Sequence, residues 1–83
     1  ALCGGSGAFF IPHAVEQGAD AFITGEIGYH RFFGHEGDML LVEIGHYESE
    51  QYTLEILDDI IRKADAALPV YSAETNTNPI NYL

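Results

Sequence analysis

An α/β fold with a mainly parallel sheet is what this 83-residue sequence predicts, and three observations carry it. Short apolar runs of strand length recur at Leu2-Cys3, Ala21-Phe22-Ile23-Thr24 and Met39-Leu40-Leu41-Val42-Glu43-Ile44. Each is followed by glycine and then by residues with helical spacing. The order reads β-α-β-α-β-α-β, with helical connections throughout. That pattern favours a three-layer arrangement with helices on both faces and right-handed crossovers.

Taken in order, Leu2-Cys3 is the first strand and runs into Gly4-Gly5-Ser6-Gly7. A glycine-rich turn between a strand and a helix can cradle an anion, because the backbone approaches closely and N–H groups at the helix start face the ligand. The same glycines also serve as plain turn chemistry. The first helix is expected over about Ala8–Gln17, with Phe9, Phe10, His13, Ala14 and Gln17 on one stripe. Pro12 lies near its start and Gly18 at its stop. Asp20 precedes the second strand, which ends at Gly25-Glu26. A short helical segment, 27–33, follows and carries His30. The third strand, 39–44, hands over through Gly45 to a helix with Tyr52, Leu54, Ile56, Leu57, Ile60 and Ile61 at amphipathic spacing. Arg62 and Lys63 fall near the C-terminus of that helix, where its dipole favours cations. After Pro69, the alternation in Val70–Glu74 reads as an edge strand. Residues 75–79 are loop chemistry.

Composition narrows the function classes. The net charge is −10 with three basic residues, so a row of phosphates on nucleic acid cannot be neutralised. An anionic membrane surface is excluded on the same ground, and no stretch approaches the roughly 20 apolar residues of a membrane span. The acidic balance suits a protein that attracts cations. The single cysteine, Cys3, allows no internal disulfide and fits a reducing, cytoplasmic setting. Apolar residues at 47% suffice for the core of a single domain over 1–83. The opening Ala1-Leu2-Cys3 begins partway along a strand without an initiator Met. The expectation is therefore the C-terminal portion of something longer.

Chemistry concentrates where strands end. His46 and Glu50 flank the strand-to-helix junction, and four residues on a helix put their side chains on one face. An imidazole and a carboxylate so placed form half of a divalent-metal site. The alternative is an acidic residue in a first helical turn beside a capping or core histidine. Glu26 and His30 are a second acid–imidazole pair with the same spacing. They suit general acid/base work or support of a metal ligand, or else a hydrogen bond without chemistry. Three strand ends, Gly4–Gly7, Thr24–His30 and Gly45–Glu50, are expected to converge on one sheet edge, where open α/β sheets place their ligands.

Four segments in order, Cys3–Gly7, Gly18–Glu26, Tyr29-His30 and Ile44–Glu50, together with Asn78-Pro79 and Tyr82-Leu83, resemble one family. It is the NGG-one-interacting-factor-three-like family, whose members are also known as GTP cyclohydrolase type-two homologues. The resemblance implies an α/β fold, a dinuclear centre of two divalent ions (Zn, Mn or Fe) and a ring-shaped homo-oligomer. It implies that His46 and Glu50 match the C-terminal metal ligands, with Glu26 and His30 beside the centre. The family often has Asp where Glu26 stands. Its remaining ligands, a His-His pair and an aspartate, come from an N-terminal half, and no His-His exists here.

These readings lead to a metal-dependent hydrolase acting on a nucleotide or another phosphorylated small molecule. In it His46 and Glu50 hold metal, His30 and Glu26 act at the reacting atoms, and Gly4, Gly5, Ser6 and Gly7 lie near the anion. A non-enzymatic metal-binding regulatory or interaction protein is the alternative. An inactive fragment that oligomerises through its apolar tail is the other.

Overall fold

The computed structural model describes residues 1–83. Three parallel strands form one sheet in the order β1-β2-β3: β1 is Leu2–Ser6, β2 is Ala21–Glu26 and β3 is Leu40–Glu43. The central strand β2 aligns Leu2 with Ile23 and Cys3 with Thr24 on one side, and Ala21 to Thr24 with Leu40 to Glu43 on the other. The register slips between Cys3 and Ser6, so the glycine run bulges within β1 and is not a separate turn. The expected α/β fold with a parallel sheet is what forms.

The connection from β1 to β2 holds a 3-10 turn, Ala8–Phe10, and helix α1, Ile11–Glu16. One continuous helix from Ala8 was expected. Instead Pro12 occupies the first turn of an α-helix that starts three residues later, as proline's missing N–H favours. The stop falls as expected. Gly18 takes a φ of 70°, its N–H bonds to the Val15 carbonyl at 2.9 Å, and the Ala19 N–H bonds to Ala14 at 3.0 Å. This is a Schellman ending, which requires the left-handed conformation glycine adopts at little cost.

The core is small. Ile11 and Ala14 of α1 pack with Phe22 of β2 and with Ile27, and Cys3, Ala8, Ala19, Met39 and Leu41 surround them. Phe22 and Thr24 share one face of β2, whereas Gly25 belongs to the other. Helix α2, His46–Glu50, lies against Gly25. Strand alternation thus puts α1 and α2 on opposite faces of the sheet.

The chain divides into two compact units, Ala1–Glu50 and Gln51–Leu83. The helix expected to run on from about Ser49 is broken at Gln51-Tyr52, which separates α2 from α3, Thr53–Ala64. Within the second unit, Arg62 donates to Asp58 at 2.7 Å and Lys63 lies 3.7 Å from Asp59, both one turn apart on α3. The edge strand expected at Val70–Glu74 does not form. The Val70 carbonyl instead accepts from Arg62 at 3.2 Å. Farther on, the Asn76 and Asn78 side chains accept from the backbone N–H two residues ahead, and these local bonds favour turns over extended chain.

Thr24 is 1% exposed, and its hydroxyl donates to the Gly5 carbonyl at 3.0 Å while accepting the Gly7 N–H at 3.1 Å. Thr24→Val keeps the shape and leaves both backbone groups unpartnered. We expect a loss of about 1–3 kcal/mol in urea unfolding. An unchanged midpoint would show that the bulge is held by something else.

Candidate functional site

The C-terminal ends of the three strands converge as the alternation of strands and helices predicts. Glu26 ends β2, β1 brings in Gly5, and β3 leads through Ile44-Gly45 into α2. The closeness of β2 to α2 depends on Gly25. A Cβ there would lie 2.9 Å from the Gly5 carbonyl, 2.9 Å from Ser49 Oγ and 3.2 Å from His46 Cα. Two of these three are backbone atoms, which cannot swing aside. With only hydrogen at Gly25, α2 settles on the strand and His46 reaches the carboxylate of the next residue.

The His46 ring stands between two carboxylates. Nδ1 lies 3.1 Å from Glu26 Oε2, and Nε2 lies 3.4 Å from Glu50 Oε2, one helical turn on. All three side chains are about half exposed. A Cβ on Gly5 would lie 3.1 Å from Glu50 Oε1 and 3.8 Å from His46 Nε2, so the bulge of β1 borders this pair. The Ser49 hydroxyl closes the turn of α2 on the His46 carbonyl at 2.9 Å.

The expected residues are therefore partly gathered. Glu26, His46 and Glu50 meet, and Gly5 lies beside them. His30 sits in a 3-10 turn, Tyr29–Arg31, beyond Gly28, with its ring 5.1 Å from that of Tyr29. Glu26 pairs with His46. Gly4, Gly5 and Ser6 belong to β1, and the Gly7 N–H is already given to Thr24.

Two contributors escaped the sequence reading. Thr24 fastens the bulge of β1, and Glu43 fastens the chain that leaves Glu26: its Oε2 accepts from Ile27 N at 2.9 Å and Gly28 N at 3.4 Å. The signal for Glu43 was an acidic residue inside the otherwise apolar run 39–44.

The donor set suits a divalent cation in part. Nε2 and the Glu50 carboxylate point to a shared, open side, and an imidazole with a carboxylate is a common pairing for Zn and related ions. Glu26 engages the opposite nitrogen and cannot join the same ion through that ring. No set of three or more His, Cys, Asp or Glu in this chain is disposed to hold a metal. His46 and Glu50 present two donors, fewer than the three or four protein ligands a stable site takes.

The hydrogen bond with Glu26, and then the negative charge of Glu50, raise the His46 pKa above its ordinary value of 6.5, against a smaller opposing effect of burial. A raised folded-state pKa means the charged ring stabilises the fold below 6.5, and that contribution is lost as pH rises through the folded value. In the metal-free chain, NMR titration of His46 should give a midpoint above 6.5 that falls in Glu26→Gln. A midpoint indifferent to that change would contradict the pairing.

Residues 1–79 match the family model Duf34/NIF3 (NGG1p interacting factor 3). A Lactococcus lactis protein named GTP cyclohydrolase 1 type 2 homolog is 37% identical over 82 residues, which are 95% of this chain and 31% of that protein. A Bacillus subtilis protein of the same name is 30% identical over 89 residues, covering 100% of this chain and 23% of that one. The crystal structure of Staphylococcus aureus protein SA1388 superposes with a TM-score of 0.73 at 29% identity, over 99% of this chain and 28% of that one. The chain thus spans about a quarter to a third of the length of the relatives it matches. Family model, relatives and fold agree, and the chain belongs to the Duf34/NIF3 family.

Proposed function

We propose that this chain contributes His46 and Glu50 to a dinuclear metal centre in a metal-dependent hydrolase of nucleotides or other phosphorylated small molecules. The observation that carries the reading is the open pairing of His46 Nε2 with Glu50, 3.4 Å apart, at the strand ends of a parallel sheet. Ligand sites in such sheets lie in this position. A bound divalent ion lowers the pKa of a coordinated water and offsets charge developing on the substrate.

The chain's charge supports the same reading. With three basic residues and thirteen acidic ones, it has few groups of its own to neutralise a phosphate, so cations must do so. Within the glycine run, Gly5 borders Glu50, so a phosphate approaching there meets backbone and not a side chain. His30, exposed on its 3-10 turn, is the group free to move a proton at the substrate. The remaining metal ligands come from residues outside this chain, within a homo-oligomeric, cytoplasmic protein. The relatives' name makes GTP the first nucleotide to try.

In the intact protein supplied with Zn, Mn or Fe, His46→Ala should abolish metal-dependent release of product from GTP and other nucleotides. His30→Gln should lower turnover about 100-fold or more while metal content stays the same. Unchanged turnover in His46→Ala would refute the assignment. Full metal occupancy with no turnover on any nucleotide would favour a regulatory, non-enzymatic protein.

A further inference from the structure

We propose that Glu26 is a positioning residue for His46: it accepts the Nδ1–H and so presents a bare Nε2, on the Glu50 side, to the cation. This rests on the reading that His46 and Glu50 are metal ligands. The geometry points the same way from both sides of the ring. The Nδ1–Glu26 contact, at 3.1 Å, is a hydrogen bond; the Nε2–Glu50 separation, at 3.4 Å, is the longer of the two. A neutral imidazole carries one proton, and the shorter contact takes it. Nε2 is then the nitrogen with a free lone pair, on the face that Glu50 shares. A carboxylate on the far nitrogen of a ligating histidine fixes its tautomer and ring orientation and raises its basicity.

The support for Glu26 is itself fixed. Glu43 binds the amides of Ile27 and Gly28, so the chain just after Glu26 is tied to the end of β3. The hydrogen at Gly25, just before it, lets His46 come close. Glu26 therefore lies between two anchored neighbours, and its carboxylate meets the ring without a flexible loop in between. The other use for Glu26, proton transfer with His30, has less behind it. The His30 ring rests on Tyr29 past the bend at Gly28, and Glu26 is committed to His46.

The test has two readouts. In the metal-free chain, at a pH high enough that the His46 ring has titrated to its neutral form, 15N NMR of the ring should show the proton on Nδ1. Glu26→Ala should lose that preference, and Glu26→Gln, whose amide oxygen can still accept, should keep it. In the intact protein, calorimetric titration with Zn should show affinity falling about 10–100-fold in Glu26→Ala and less in Glu26→Gln. A wild-type ring protonated on Nε2, or a tautomer indifferent to Glu26→Ala, would overturn the proposal. So would a shifted tautomer with unchanged Zn affinity. The wild-type spectrum needs no variant to fold. If the intact wild type binds no Zn, the metal reading of His46 and Glu50 fails on its own, and the spectrum still decides which carboxylate orients the ring.

Discussion

The bare backbone at Gly25 is the constraint on which the site depends. It lets α2 rest on β2 with His46 Cα and Ser49 Oγ where a side chain would otherwise stand. Every contact of the His46 ring follows from that approach. Glu26, at the C-terminal end of β2, meets one nitrogen, and Glu50 meets the other because it is one turn along α2. Thr24, on the opposite face of the same strand, holds the bulge of β1 in place beneath. Three consecutive residues, Thr24, Gly25 and Glu26, thus do three different jobs. Strand alternation makes that possible by sending Thr24 to one side and leaving Gly25 open to the other.

Much of this was legible in the sequence, and for identifiable reasons. The three strands were visible as short apolar runs, and the parallel sheet followed from the helical segments between them. The His46–Glu50 contact was legible because it is local: spacing on a helix fixes it. The Glu26–His46 contact was not, because it links residues twenty apart across a strand–helix junction. The sequence instead suggested His30 for Glu26, since both pairs share a four-residue spacing. Gly28, with a φ of 80°, breaks any helix between them, and Glu26 pairs with His46 instead. Val70–Glu74 misled for the opposite reason. Its alternation suits a strand, but a strand exists only where a neighbour supplies the ladder, and no local pattern reports that.

The second unit carries a different message. Helix α3 bears a stripe of Leu54, Leu57 and Ile61, with Ile56 and Ile60 beside it, and none of its residues is buried. Its ion pairs are exposed links one turn apart, each worth only a few tenths of a kcal/mol. Arg62 of α3 also donates to the Val70 carbonyl at 3.2 Å. The first unit, by contrast, buries Phe22, Ile11 and Thr24 almost completely. The candidate site belongs to that unit, where its backbone is held by the sheet.

The most direct test of the metal reading is anomalous diffraction from crystals of the intact protein grown with Zn or Mn. The geometry predicts a peak about 2.0–2.2 Å from His46 Nε2 and from a Glu50 oxygen, with Glu26 still on Nδ1. A peak bonded to Nδ1, or metal bound elsewhere while the His46–Glu50 pair stays unchanged, would contradict it.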